Sequence, residues 1–248
     1  MVAPTPQSRH SRVSPASGVA HSGWGLSLLG PWRLTGHDHS VRVGVKAQRL
    51  LALLALRGAC PRSYVAGLLW QDCSDPHAMG NLRATLSRLH GRGLRDVVHS
   101  DDGVLSLDSD VEVDVRVLVG TASAVLDEGG EAADREALRI LRSDELLVGW
   151  YDDWVVLHRE RIRQLRLHAL EVLSARLAAD GHGAAAVEAA LAAVVAEPLR
   201  ESAHRALICA HLSEGNRGEA VRQLSRLRAL LRYELGVEPS AKATGLLR

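Results

Sequence analysis

One predicted helix carries a face whose side chains are suited to hydrogen bonding with the edges of DNA bases. The helix starts at Asp75-Pro76, an N-cap followed by a proline, and continues to about Gly91. Its apolar residues recur at spacings of three and four and form one buried stripe: Met79, Leu82, Leu86 and Leu89. The opposite surface holds the candidate base contacts: Asn81, Arg83, Ala84, Ser87 and Arg88.

The residue types on this face fit the major groove of DNA. Small residues such as Gly80, Ala84 and Ser87 let a helix backbone approach a groove that is about 12 Å wide. Arg83 and Arg88 have planar donors that match guanine, and Asn81 has an amide that matches adenine. A solvated helix face would show the same pattern, so the surrounding elements must decide between the two interpretations.

Those elements predict a winged-helix domain of the OmpR type over residues 24–113. Three short strand-like runs at residues 26–29, 32–34 and 41–43 indicate a small antiparallel sheet. A helix from Lys46 to Arg57 follows, apolar all round at its centre, and Gly58 ends it. A second helix begins after Pro61, with Ser63 as its cap. Strand-like runs then flank Asp102-Gly103, which is a strong hairpin signal.

The starts of the first two helices predict contacts with DNA phosphates. The candidates are the cations and the hydroxyl that lie near free backbone amides there: Lys46, Arg49, Arg62 and Ser63. Each of them is equally consistent with simple solvent exposure. The hairpin tip carries Asp101 and Asp102, so a strong contact between this wing and DNA is not expected.

The remainder of the chain, residues 114–248, predicts an all-helical domain with tetratricopeptide-like repeats. Ala, Leu, Arg and Glu dominate at helical spacing, and Gly181 and Gly215 are 34 residues apart in similar contexts. Coincidence in an Ala-rich bundle is the alternative. The predicted fold is therefore mostly α with a small β part, and the different periodicities of the halves predict separate cores. A fragment ending near Val113 is then expected to keep DNA binding.

Composition sets further limits on function. The net charge is +1, so positive charge suited to DNA must be concentrated on one surface. The excess of Arg over Lys suits DNA but also follows from GC-rich coding. Three isolated cysteines and the absence of long apolar runs predict a cytoplasmic, nucleoid-associated protein with no membrane contact. No phosphate loop, dinucleotide fingerprint or zinc motif is present, so we expect no enzyme, cofactor or metal. Residues 1–23, rich in Ser and Pro, predict a disordered tail.

The chain resembles the Streptomyces antibiotic regulatory protein (SARP) family of bacterial activators. The similar stretches in the first half are residues 28–34, 46–54, 66–70 and 81–89. Those in the helical half are residues 149–154, 197–201 and 234–240, which look like the bacterial transcriptional activation domain of the family. The aromatic cluster at 149–154 has packing as its first interpretation and a ligand-binding box as its second.

The resemblance implies a sequence-specific activator that binds direct repeats at a promoter as a homodimer or pair and recruits RNA polymerase for a pathway-specific gene cluster. It implies the small form, without the ATPase module of larger relatives. Two departures stand out: His90 and Gly91 replace paired arginines, and the acidic hairpin replaces a basic or glycine-rich one. Asp72 and Asp75, between the second and third helices, are candidate contacts for a basic sigma-factor surface, or else belong to a capped turn.

A second function belongs to another class. The neutral charge and the acidic hairpin also fit a protein-interaction adaptor whose winged helix no longer binds DNA and whose repeats form the working surface. The cationic face formed by Arg83 and Arg88 favours the DNA-binding activator.

Overall fold

The computed structural model of the chain describes residues 23–36, 39–127 and 134–247. The tail predicted over residues 1–23 lies outside these residues, apart from Gly23. The described chain begins with a small sheet and three helices, continues through a hairpin, and ends in a run of helices. This order confirms the predicted fold class of a winged helix followed by helical repeats.

The first sheet is mixed and not purely antiparallel as predicted. Its order is β3 (His39–Ser40), β2 (Arg33–Gly36), β1 (Trp24–Ser27) and β7 (Glu112–Val113). Leu26 of β1 lies opposite Leu34 in an antiparallel pair and beside Val113 in a parallel pair. The prediction of a strand at residues 41–43 is wrong. Val41 N still donates to Leu34 O, but the chain then leads into the first helix without further strand pairing in this segment.

Three helices follow this sheet and pack against one another: α1 (Val45–Arg57), α2 (Arg62–Leu69) and α3 (Asp75–Gly91). The centre of α1, from Leu50 to Ala55, is buried on every side, and Gly58 ends the helix at φ 77° as predicted. The predicted cap at Ser63 is wrong, because Pro61, with φ already fixed, precedes the helix and no side chain caps it. Helix α3 starts one residue earlier than a cap at Asp75 would require, because Ser74 is its N-cap and Asp75 is already helical.

The predicted hairpin is present as β5 (Val98–Asp101) and β6 (Val104–Leu107). Asp102 and Gly103 connect the strands with φ 41° and φ 75°, the left-handed pair that a two-residue hairpin turn requires. A third strand, β4 (Cys60–Pro61), pairs with β6 and ties the hairpin to the start of α2. The hairpin is therefore held beside the helices as a wing.

The second half of the described chain consists of helices. They are α4 (Asp114–Leu126), α5 (Asp134–Leu141), α6 (Asp153–Ala179), α7 (Gly183–Ala196), α8 (Glu201–Ser213), α9 (Arg217–Leu235) and α10 (Ala241–Thr244), with a 3-10 turn over Gly245–Leu247. Two helical hairpins, α6 with α7 and α8 with α9, repeat with the predicted period. Gly181 and Gly215 both take left-handed conformations, at φ 78° and φ 76°. His182 N bonds to Leu177 O, and Asn216 N bonds to His211 O, at 2.8 Å in both turns.

One hydrophobic core of the molecule contains residues from both halves, so the prediction of separate cores is wrong. The core around the sheet and α1 also contains buried residues from the helical half: Val115, Leu118, Leu146, Leu147, Trp154, Val155 and Ile162. A second core lies among α4 to α8, and a third among α8 to α10. Local periodicity identifies which faces of the helices are apolar, but it does not identify the element that covers each face.

Polar contacts reinforce this connection at a region we call the junction, formed by residues 28–30, 49, 114, 144–152 and 159. Backbone bonds join Leu147 N to Leu28 O at 2.7 Å and Gly30 N to Glu145 O at 2.8 Å. The carboxylate of Asp114 accepts bonds from the amides of Leu28 and Leu29 at 2.9 to 3.1 Å. The start of α4 is thereby bound to the end of β1.

Arg159 of α6 organises the loop that enters the helical half. Its guanidinium donates hydrogen bonds to three backbone carbonyls, those of Leu146 at 2.9 Å, Leu147 at 2.7 Å and Trp150 at 3.0 Å. Leu147 is fully buried and has a positive φ of 47°, which is unusual for a branched residue. The three bonds from Arg159 help to hold the loop in that conformation.

Candidate nucleic-acid interface

The residues of α3 divide into buried and accessible faces as the helical spacing predicts. Leu82, Leu86 and Leu89 are buried, and Met79 packs partly buried against the same core. Thr85 is also buried and donates its hydroxyl to the Asn81 carbonyl at 2.8 Å. The helix is therefore fixed against the domain along one side, and its other side lies at the surface.

The accessible side, which we call the recognition face, is formed by Asn81, Arg83, Ala84, Ser87 and Arg88. Arg83, Ser87 and Arg88 are exposed, whereas Asn81 and Ala84 are partly buried. Within the described ranges, neither Arg83 nor Arg88 has an ion-pair or hydrogen-bond partner. Asn81 makes one weak side-chain contact, from Nδ2 to Cys73 Sγ at 3.8 Å. These donors are available to an external acceptor at little internal cost.

A cationic cleft adjoins the recognition face where the start of α1 meets the end of α3. The cleft has a volume of about 240 Å³, and its lining includes Lys46, Arg88 and Arg92. Lys46 is exposed. Gly44 precedes α1 without a capping side chain, and the helical bonds begin at Ala47 N, so the first amides of α1 lie unbonded next to the cleft. The free amides, together with Lys46 and Arg92, suit a phosphate oxygen beside the recognition face.

Arg92 is the residue that sequence reasoning missed. It lies four residues after Arg88, one turn further along the same side, and that spacing could have identified it. One of its guanidinium nitrogens donates to the Arg42 carbonyl at 2.5 Å, which holds the side chain against the chain segment leading into α1. The positive charge that the sequence lacks at His90 and Gly91 is thus supplied by the next residue.

Two predicted phosphate contacts have other surroundings. The guanidinium of Arg49 forms an ion pair with Asp152 and also reaches the Leu69 carbonyl at 3.4 Å. Arg49 therefore belongs to the junction, because its charge already has a partner there. Ser63 is exposed within the first turn of α2. The structure does not bring either residue into the cationic cleft.

Arg62 lies at the base of the wing. Its side chain donates to Ser100 Oγ at 2.9 Å, and its amide donates to the Gly103 carbonyl at 2.9 Å. The tip residues Asp101 and Asp102 are exposed. At the other end of the hairpin, the backbone amide of Asp110 and the His99 side chain lower the pKa of Asp108. The wing thus has an exposed acidic tip, and Arg62 is bound at its base through Ser100.

The loop between α2 and α3 carries both candidate polymerase contacts, Asp72 and Asp75, in exposed positions. A hydrogen bond from Cys73 N to Trp70 O at 3.1 Å forms the turn. The loop borders a cavity of about 380 Å³ whose other wall is Tyr151 to Trp154 of the helical half. Any partner bound at Asp72 would therefore also meet the helical half.

The aromatic cluster acts mainly in packing, as its first interpretation predicts. Trp154 is buried in the shared core, and Trp150 packs against it partly buried. Tyr151 differs, because 84% of it is exposed.

In the described part of the chain, no group of three metal-binding side chains occurs, and none of the helices has the length and apolar character of a membrane span.

Comparison with known proteins supplies the wider context. The family model described as the bacterial transcriptional activator domain matches residues 110–248, more than half of the chain. Two curated relatives named regulatory protein AfsR match over 86% of this chain, one from Streptomyces coelicolor at 30% identity and one from Streptomyces griseus at 28%. The chain spans 23% of the length of each of them.

A solved structure shares the fold. Mycobacterium tuberculosis EmbR, determined in complex with a low affinity phosphopeptide, superimposes with a TM-score of 0.71 at 21% sequence identity. The superposition covers 91% of this chain and 64% of that chain. The winged helix and the helical repeats therefore occur together, in the same order, in a protein whose sequence is only distantly similar.

Proposed function

Because this chain belongs to the bacterial transcriptional activator domain family, we propose that it activates transcription by binding a specific DNA site through α3. The observation that carries the proposal is the recognition face, where Arg83 and Arg88 are exposed and have no partner among the described residues. Arginine forms bidentate contacts with guanine, and each such contact discriminates by about 1–3 kcal/mol. Lys46 and Arg92 would bind phosphates beside the groove.

The junction suggests how the DNA-binding half is coupled to the helical half. Arg49 in α1 is paired with Asp152, and α1 shares its core with α6. A helical half held in this way has a defined position relative to DNA, which suits a surface that must meet RNA polymerase at a promoter. We propose the exposed loop with Asp72 and Asp75, together with the neighbouring helical half, as the polymerase-facing side.

Binding to tandem sites is part of the proposal. The SARP resemblance implies that two copies occupy direct repeats. Footprinting on DNA with one or two half-sites tests this, since cooperative filling of the second half-site is expected only if neighbouring copies touch.

The test of the proposal is a binding titration with DNA from upstream of the protein's own gene and with a scrambled control, at two salt concentrations. A specific site should bind more tightly than the control at both concentrations. Binding to both should fall as salt rises, because phosphate contacts release counterions. Equal binding to both sequences would contradict sequence-specific recognition.

A protein-interaction adaptor is the second candidate, favoured by the exposed Asp101 and Asp102 at the wing tip and by the net charge of +1. The same titration separates the two functions, because an adaptor would bind neither DNA with useful affinity.

The polymerase contact has its own test in run-off transcription at saturating occupancy of the site. Asp72→Ala should lower transcription while footprints stay equal to those of the wild type. Asp127→Ala, which removes an exposed carboxylate after α4, is the matched control. If Asp72→Ala supported transcription at the wild-type level, the loop would be only a turn and not a polymerase contact.

A further inference from the structure

A groove between three helices joins the two halves of the molecule on a surface that the proposed DNA interface does not use. It has a volume of about 440 Å³ and is lined by the end of α1, the first turns of α4 and the middle of α6. Leu56 comes from α1, Val119 and Gly120 come from α4, and Ile162 comes from α6. Its size lies within the range of small-molecule sites.

The groove has an apolar floor and a cationic rim. Ile162 is buried, and Val119 and Leu56 present aliphatic surface. Arg116 and Arg161 line the groove and are exposed, and the residues lining it include no carboxylate. Neither arginine forms an ion pair or a hydrogen bond with any described residue. The other arginines of α6 all have acceptors. Three of them pair with carboxylates, namely Arg159, Arg163 and Arg176, and Arg166 donates to the Ser143 carbonyl at 2.8 Å.

His158 lines the same groove, and nearby cations affect its pKa. It is partly buried in the groove, and burial together with the charges of Arg57 and Arg161 lowers its pKa. Arg57, at the end of α1, lies over the ring of Tyr64 at 5.1 Å and has no carboxylate partner within the described ranges. Positive charge therefore surrounds the imidazole from both α1 and α6 without a compensating anion.

We propose that this groove binds a small amphiphilic anion, whose apolar body covers Ile162 and Val119 and whose carboxylate, sulfate or phosphate is held by Arg116 and Arg161. The charge of the rim and the apolar floor together select this class, because a purely apolar ligand would leave the arginines unpaired and a simple inorganic anion would leave the floor uncovered. A ligand bound there touches α1 of the winged helix and α4 and α6 of the helical half at once. It would strengthen the connection between the two halves.

Calorimetric titration of the full chain with decanoate tests the site without DNA, so its outcome does not depend on the proposed function. Decanoate should bind. The two control compounds should bind at least about tenfold more weakly, because 1-decanol lacks the anionic group and inorganic phosphate lacks the apolar chain. Arg161→Gln should weaken decanoate binding by about tenfold or more, because it removes a charge-assisted contact. Arg226→Gln, an exposed arginine on α9, removes the same charge elsewhere and should have no effect.

Gly120 permits a sharper test. No atom outside the helix's own backbone lies within 4 Å of a Cβ placed at this residue, so a side chain can begin there without a clash. Gly120→Phe should fill the groove and abolish decanoate binding while keeping the thermal stability of the wild type. Gly120→Ala is the control that keeps binding.

A second readout follows His158 by nuclear magnetic resonance. Bound decanoate should raise the pKa of His158, because an anion then faces the imidazole alongside Arg57, Arg116 and Arg161. Three results would each overturn the proposal: no binding of decanoate at millimolar concentration, unchanged binding by Gly120→Phe, or equal weakening by Arg161→Gln and Arg226→Gln.

Discussion

The junction and the recognition face use arginine in opposite ways. At the junction, Arg49 and Arg159 have their donors taken up by a carboxylate and by backbone carbonyls. On the recognition face, Arg83 and Arg88 have no partner among the described residues. Arginine that is paired internally contributes to the fold, whereas exposed and unpaired arginine is available to a ligand. The same residue type therefore has a structural role in one region and a binding role in the other.

The strongest challenge to this comparison is to remove the helical half. A fragment of residues 24–113 loses seven buried residues of the shared core: Val115, Leu118, Leu146, Leu147, Trp154, Val155 and Ile162. Each large apolar side chain contributes about 1.5–3 kcal/mol when buried, and a whole domain is stable by only about 5–15 kcal/mol. The fragment should therefore be largely unfolded by circular dichroism and should lose DNA binding.

A fragment of residues 24–179 is the matched control, because it restores those seven residues by ending with α6. It should recover the protected amides of α1 in hydrogen exchange. If the shorter fragment were as well protected as the full chain and bound DNA equally well, the halves would be independent.

Arg159→Met should give the next largest effect. The substitution keeps the aliphatic part of the side chain but leaves three carbonyls in the entry loop without their donor. We expect the free energy of unfolding to fall by about 2–4 kcal/mol, measured by urea titration. Arg139→Met, which breaks an exposed pair with Glu136, should lower the free energy of unfolding far less, because solvent screens that pair. Equal costs would mean that the loop does not depend on Arg159.

Two cations on the same helix should separate the roles of the two regions. Lys46→Ala should lower the salt dependence of DNA binding by about one phosphate contact and leave stability nearly unchanged. Arg49→Ala should lower stability and leave the salt dependence nearly unchanged, because its charge is paired with Asp152. The measurements are the slope of log affinity against log salt and the midpoint of urea unfolding for both variants. If Arg49→Ala lowered the slope of log affinity against log salt, Arg49 would be a DNA contact.

The smallest expected effect concerns pH. His204 is buried, its Nε2 donates to the Pro198 carbonyl at 2.8 Å, and its Nδ1 accepts from Gln223 Nε2 at 2.7 Å. Burial lowers its pKa below the ordinary 6.5, so the unfolded chain binds a proton at a higher pH than the folded chain does. Its contribution to stability is complete above pH 6.5 and decreases as the pH falls below it. His204→Gln should reduce the difference in urea midpoint between pH 7.5 and pH 5.5, and an unchanged difference would contradict this assignment.

The sequence predicted those features that follow local rules. The spacing of Leu82, Leu86 and Leu89 identifies the buried side of α3 and therefore its accessible face. Asp102-Gly103 identifies the hairpin through its backbone preference, and the spacing of Gly181 and Gly215 identifies the helical hairpins. The predicted SARP family is confirmed by the matched activator domain and the two AfsR relatives.

Features that depend on distant partners were not predictable in this way. Arg49 and Asp152 are 103 residues apart, and no local pattern distinguishes a paired arginine from a free one. The parallel pairing of β7 with β1 and the shared core depend likewise on which surfaces meet in three dimensions. Arg92 is a different case, because its spacing of four from Arg88 could have identified it, but it lies at the C-cap of α3, just beyond the predicted end of the helix.

The most direct test of the central claim compares Arg88→Ala with wild type on the DNA site that footprinting identifies and on a scrambled sequence. If Arg88 contacts a base, affinity for the identified site should fall by about 1–3 kcal/mol, which is roughly 5- to 150-fold, while affinity for scrambled DNA changes little. Arg226→Ala, which removes an exposed arginine on α9, should change neither affinity. An equal loss on both sequences, or no loss on either, would contradict the assignment of α3 as the element that reads the DNA sequence.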